Sequence, residues 1–158
     1  MIIGDFMESS GNSGKFCRMS WEFERKLDNQ NRFAVPSEWR DDNTDGVFIL
    51  IPGKDSTLQL YPNAIFEERI MSRLKQLSPG NPDDLRKLRY LGSQIQKCEC
   101  DKQGRIQISQ KLLNFAKLDE RIALIGSGDF AQIMCAERWE REKQLQDNSG
   151  DDFLDILG

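Results

Sequence analysis

The sequence predicts an α+β protein made of two tandem copies of one strand, turn, strand and helix unit. Three observations carry this expectation. Residues Asp28-Asn29-Gln30-Asn31-Arg32-Phe33-Ala34-Val35 align with Asp101-Lys102-Gln103-Gly104-Arg105-Ile106-Gln107-Ile108 in a shared frame, Asp-x-Gln-(Asn/Gly)-Arg-apolar-x-apolar, 73 positions apart (28 against 101). Downstream, Val47 to Ile51, a turn at Gly53 and Leu58 to Tyr61 follow the same order as Ile122 to Ile125, Gly126-Ser127-Gly128 and Ala131 to Met134. Each copy then enters a polar, aromatic-bearing helix, at Phe66-Glu67-Glu68 and at Trp139-Glu140-Arg141. Self-similarity at one fixed offset is the mark of a duplicated supersecondary unit.

Taken in chain order, residues 1–15 read as a flexible N-terminal extension, because Ser9 to Gly14 holds only Ser, Gly and Asn. A first repeat spans 16–62, a connecting helical hairpin 63–92, a second repeat 93–137, a C-terminal helix 138–146 and an acidic tail 147–158. Alternation over Ile95 to Cys100 and over Ile106 to Ile108 predicts strands. Between them Asp101 to Gly104 forms a hairpin turn, with Gly104 at a positive-φ position that Asn31 takes in the first copy. Ser37 and Ser109 are placed to cap short helices, the second presenting Leu112, Leu113 and Ala116 inward.

Glycines 53, 126 and 128 turn the later hairpins. Pro62 to Leu77 predicts a helix with Ile65, Phe66, Ile70, Leu74 and Leu77 inward. Ser78 to Pro82 ends it, and Asp83 caps a second helix through Leu91. A closing helix begins at Trp139. The tail beyond Gln146 is too polar to order itself, although Phe153, Leu154, Ile156 and Leu157 can dock elsewhere.

Charge narrows the function classes. The chain carries 22 basic and 26 acidic residues, yet the four aspartates of 147–158 account for the whole net charge of −4. From Arg86 to Arg121 nine basic residues face four acidic ones, a locally basic region compatible with phosphate contacts. There is no histidine, so nucleophilic or acid–base catalysis lacks its usual partner, and an enzyme is not expected. Cys17, Cys98, Cys100 and Cys135 have no Cys-x-x-Cys spacing; they read as reduced structural thiols rather than zinc ligands. Gly-x-Gly at 126–128 lacks the following Lys-Ser/Thr of a phosphate loop. No cofactor, metal or small-molecule substrate is expected. No apolar run reaches a membrane span and no secretory signal opens the chain, so a cytoplasmic protein is expected.

In these residues the chain resembles the MraZ family. The paired Asp-x-x-x-Arg motifs at Asp28–Arg32 and Asp101–Arg105, together with Leu124 to Asp129 and Glu137-Arg138-Trp139, carry the resemblance, which runs from about Phe16 to about Gln146. It implies a double-psi or swapped-hairpin AbrB-like β-barrel of two interlocked repeats, assembled into a ring-shaped homo-oligomer. It further implies a nucleoid-associated regulator that binds double-stranded DNA at tandem promoter repeats of a division and cell-wall gene cluster. Several positions depart from the family pattern. Asn31 replaces a turn glycine, Trp21 stands where a glycine is common, Ser109 replaces a proline, and Cys135 follows Met134 where Trp-Asp is frequent.

Arg32 and Arg105 are the principal DNA-binding candidates, since a guanidinium presents a planar fork to phosphate or guanine. Arg25, Lys26, Lys97 and Lys102 flank the hairpins and can add phosphate contacts. Asp28, Asn31, Asp101 and Gly104 are expected to brace the turns that aim the arginines. Trp21, Trp39 and Trp139 read as core or interface anchors. The overall acidity motivates an alternative, an oligomeric interaction scaffold with weakened or lost DNA binding.

Overall fold

Short strands with alternating burial set the architecture. The computed structural model describes residues 19–41, 43 and 45–158; the expected N-terminal extension and Cys17 lie outside the described residues. The described elements are β1 (Glu22–Lys26), β2 (Arg32–Ala34), α1 (Ser37–Asp41), β3 (Val47–Pro52) and β4 (Leu58–Pro62). A helical segment follows, α2 (Asn63–Phe66) continuing through a π turn (Glu67–Met71) and a last turn (Ser72–Leu74). Then come α3 (Pro82–Gln94), β5 (Gln96–Glu99), β6 (Arg105–Gln107), α4 (Gln110–Ala116), β7 (Arg121–Gly126), β8 (Ala131–Cys135), α5 (Ala136–Asp147) and α6 (Phe153–Leu157).

The molecule is α+β with antiparallel pairing throughout. Six strands run in the order β1-β7-β8-β4-β3-β5, while among the described residues β2 and β6 pair only with each other. Most ladders join an early strand to a late one: β1 to β7, β4 to β8, β3 to β5 and β2 to β6. The expected closed barrel does not form among the described strands. The large sheet is open, with β1 and β5 at its edges. The physical cause is that β2 and β6 spend their hydrogen bonds on one another and form a separate ribbon.

Period-2 alternation sorts the core. Phe48 and Leu50 of β3, Leu58 and Leu60 of β4, Ile122 and Leu124 of β7 and Ile133 of β8 turn inward onto Phe33, Ile106 and Trp39. Ile49 and Tyr61 point to the opposite face, where Ile65 and Phe66 of α2 cover them. Trp39 is fully buried and donates its indole N–H to the Ser20 carbonyl at 3.3 Å.

Several boundaries differ from expectation for identifiable reasons. Asn81, not Asp83, caps α3: its side chain accepts from the Asp83 and Asp84 amides, Pro82 fills the first turn, and the helix continues to Gln94. Ser109 caps α4 by accepting from Leu112 N–H at 3.3 Å, whereas Ser37 lies inside α1 and Pro36 contributes only its carbonyl. The residues with positive φ in the β3–β4 turn are Asp55 and Ser56; Gly53 is extended, and a Cβ there would meet Thr57 Oγ1 at 2.9 Å. α5 begins three residues before Trp139, at Ala136. Part of the tail forms α6, held by a reciprocal Asp152–Asp155 capping box.

Candidate nucleic-acid interface

Each Asp-x-x-x-Arg turn is built by its own aspartate. Asp28 Oδ1 accepts from the Gln30 and Arg32 amides, both at 2.9 Å, and Oδ2 accepts from Arg32 Nε at 2.8 Å. Asn31 closes the turn in the left-handed region, φ +61°, with its amide on the Asp28 carbonyl at 2.9 Å. The second turn repeats this geometry. Asp101 Oδ1 accepts from Gln103 N–H (2.8 Å) and Arg105 N–H (2.9 Å), Oδ2 accepts from Arg105 Nε (2.9 Å), and Gly104 has φ +76°. A carboxylate is an acceptor-only group, so it satisfies two turn amides and still takes a charged donor. The Arg32 amide is the chief reason that Asp28 ionises below the ordinary aspartate range, and the Arg105 amide does the same for Asp101.

The β2–β6 ribbon brings the two turns into one cluster. Its register sets Arg32 opposite Gln107 and Ala34 opposite Arg105, so these four residues share one face and Phe33 and Ile106 are buried on the other. Arg105 reaches Asp28 at 3.6 Å and Arg32 reaches Asp101 at 4.0 Å, crossing between the turns. Two reciprocal backbone bonds lock the crossing, Val35 N–H to the Gly104 carbonyl (3.0 Å) and Ile108 N–H to the Asn31 carbonyl (2.9 Å). Two aspartates and two arginines leave this cluster with no net charge.

The two turns differ in what lies over them. Arg40 donates from Nε to the Val35 carbonyl at 3.0 Å, which lays its guanidinium against Gly104, where a Cβ would meet Arg40 Cζ at 2.6 Å. Asn31 instead borders an open polar depression shared with Gln110 and Asn114. Glycine at 104 suits its positive φ, and a Cβ there would push the end of the flexible Arg40 side chain aside, whereas position 31 requires only the conformation that asparagine tolerates.

The remaining basic residues scatter. Arg25 donates to the carbonyls of Ala34 (3.0 Å) and Glu24 (3.1 Å) and lies over the Phe23 ring, so it ties β1 to β2. Lys26 pairs with Glu120 at 3.2 Å on the surface. Lys97 on β5 and Lys102 at the hairpin tip are exposed, and neither has an ion-pair partner among the described residues. Gln107, to which sequence reasoning gave no role, donates to the Gln30 carbonyl at 2.8 Å and accepts through its own carbonyl from Gln96 Nε2 at 2.9 Å. Nothing in the local pattern marks Gln107 or Arg40, because both act across the chain crossing.

Of the three tryptophans, Trp39 is core, Trp139 is half-buried, and Trp21 is 77% exposed. Trp139 donates to Glu22 at 2.7 Å and so joins α5 to β1. Burial pushes the Cys98 thiol up to about 12, which leaves it protonated and unreactive at neutral pH. No helix among the described residues is long and apolar enough to cross a membrane.

The family model described as "MraZ protein, putative antitoxin-like" matches residues 19–90 and 93–152. The chain is 32% identical to the Transcriptional regulator MraZ of Pediococcus pentosaceus over 137 residues, 86% of this chain and 94% of that protein. It is 32% identical to that of Corynebacterium kroppenstedtii over 140 residues, covering 85% and 96%. Against that of Methylococcus capsulatus it is 35% identical over 121 residues, covering 75% and 79%.

Proposed function

This chain belongs to the MraZ family, and from that premise we propose that it is a sequence-specific DNA-binding transcriptional regulator. Its DNA is double-stranded and carries tandem promoter repeats of a division and cell-wall gene cluster. The protein acts in the cytoplasm, at the nucleoid, as a ring-shaped homo-oligomer. The observation that carries the reading is the β2–β6 ribbon, which sets both Asp-x-x-x-Arg turns side by side on one face. A two-stranded ribbon is one of the shapes a DNA groove admits.

In this reading the chain is two AbrB-like copies, 16–62 and 93–137, joined by the helical hairpin 63–92 and closed by the helix 138–146. Duplicated turn geometry and early-to-late strand pairing support it. Asp28 and Asp101, with Asn31 and Gly104, hold the turns. Arg32 and Arg105 present their remaining guanidinium donors to DNA, Lys102 adds a phosphate contact from the tip, and Lys97, Lys26 and Arg25 contribute from the flanks.

One observation favours the alternative scaffold reading. The Asp–Arg cluster is charge-balanced and Lys26 is paired, so a single subunit offers little net attraction to phosphate. Repetition of the face around an assembly compensates by avidity. Fluorescence anisotropy on tandem-repeat promoter DNA, across a salt series, separates the readings. The regulator reading expects salt-sensitive binding that Arg32→Ala or Arg105→Ala weakens by roughly tenfold or more, with oligomer mass unchanged. An intact oligomer that ignores this DNA at low salt rejects it in favour of the scaffold.

A further inference from the structure

An apolar groove lies between β3, the π turn and α3, lined by Ile51, Ile70, Leu74, Tyr90, Leu91 and Ile95. Past Tyr90 and Leu91 it continues to Arg86 and Lys87, so its apolar floor ends in a cationic rim. Tyr90 is 66% exposed although it is the largest apolar group of α3. Lys87 and the neighbouring Arg89 have no ion-pair partner within 4.0 Å among the described residues, while Arg86 pairs with Asp83.

α6 has the complementary order. Asp151 and Asp152 come first, followed by Phe153, Leu154, Ile156 and Leu157, whose exposures run from 57% to 74%. The helix is five residues long, far below what propensity alone sustains, yet its capping box is complete, with Asp155 N–H on Asp152 Oδ1 at 2.9 Å and Asp152 N–H on Asp155 Oδ2 at 3.2 Å. Gly150, with φ +87° and open space around it, separates this segment from α5. The match to the family model ends at residue 152, so the four apolar side chains lie outside the matched residues.

We propose that the segment Asp151–Leu157 of one copy docks in the α3 groove of a second copy, its apolar side chains on the Tyr90–Leu91 floor and its aspartates on the Arg86–Lys87 rim. Acidic residues followed by an apolar helix face fit a cationic rim followed by an apolar floor, in charge and in chemistry. The contact is head-to-tail, the type that propagates into closed rings or open filaments. It deepens the self-association part of the reading above and does not depend on DNA binding.

The test is made without DNA. Two full-length versions with different tags are co-expressed, one carrying Leu91→Cys and the other Leu154→Cys, each single variant also being expressed alone to measure the background from native thiols. Mild oxidation is expected to give a covalent dimer bearing both tags, reduced to background when Phe153→Asp is added to the Leu154→Cys chain. A bond that forms only within one chain carrying both cysteine substitutions means that the segment folds onto its own groove, and overturns the proposal. No bond above background overturns it too; if sedimentation shows the assembly intact, the self-association reading survives. A monomeric unsubstituted protein overturns both.

Discussion

At the scale of single residues, strain and charge locate the informative positions. Trp21 has φ +81° and is 77% exposed, so a bulky side chain holds a left-handed conformation with little packing to offset it. Trp21→Gly is expected to raise stability by about 0.5–1 kcal/mol after allowing for the freer unfolded chain, read as a higher denaturant midpoint; an unchanged or lower midpoint refutes the strain argument. Asp28 and Asp101 carry folded-state pKa values below their ordinary ones, chiefly because turn amides bond the ionised form. A depressed folded pKa contributes stability that is present above the unfolded value and is lost as pH falls through the folded one. Asp28→Asn should therefore be less stable than wild type near neutral pH, with the gap closing in acid below the ordinary aspartate range of about 4. A gap independent of pH would mean that the side chain acts through packing alone.

At the scale of elements, close backbone approaches decide which substitutions the sheet tolerates. Gly126 ends β7 under the 19–20 segment, where a Cβ would lie 2.2 Å from the Met19 carbonyl oxygen. Gly128, two residues on, has φ +105° and open space. Both glycines read as turn residues in the sequence; Gly126 is the last residue of β7, whereas Gly128 lies between β7 and β8 and pairs with Met19 in an isolated bridge. Gly126→Ala must displace backbone and should cost about 2 kcal/mol or more, against about 1 kcal/mol for Gly128→Ala, where only the conformation is strained. Thermal unfolding of the two variants checks this, and equal losses would reject it. On the other side of β1, the Glu22 carboxylate accepts from Trp139 and from Lys143 Nζ at 2.9 Å. Chiefly through the Trp139 bond, these donors hold Glu22 below the ordinary glutamate range. α5 is thus tied to the sheet edge by a bond that weakens in acid.

At the scale of the whole molecule, early-to-late strand pairing makes the two halves one cooperative unit, with Trp39 buried where they cross. The candidate interface follows from that crossing, since neither turn alone supplies two arginines. Its own charge is balanced, so the salt response of DNA binding should come from unpaired tip residues. Lys102→Ala is expected to lower the slope of log affinity against log salt by about one for each contacting subunit, with unfolding midpoints unchanged. An unaltered slope would place the phosphate contacts elsewhere.

Local pattern alone determined most of the strands, the left-handed conformations of Asn31 and Gly104 and the capping by Ser109, while Gly53 and Gly126, which the same pattern marks as turn residues, are extended. These depend on neighbours a few residues apart, and the physics of a turn or a cap is contained in such a window. The resemblance to a family supplied the expected barrel, and there the chain departs from expectation: β2 and β6 choose each other and leave the sheet open. Only the tertiary structure decided that Arg40 lies over Gly104, that Gln107 spans both turns, that Arg25 is held by carbonyls, and that the arginines cross to each other's aspartates. The Arg40, Gln107 and crossed-arginine contacts join residues some 60 or more positions apart, a relation with no local trace in the sequence, and Arg25 joins the neighbouring strands β1 and β2.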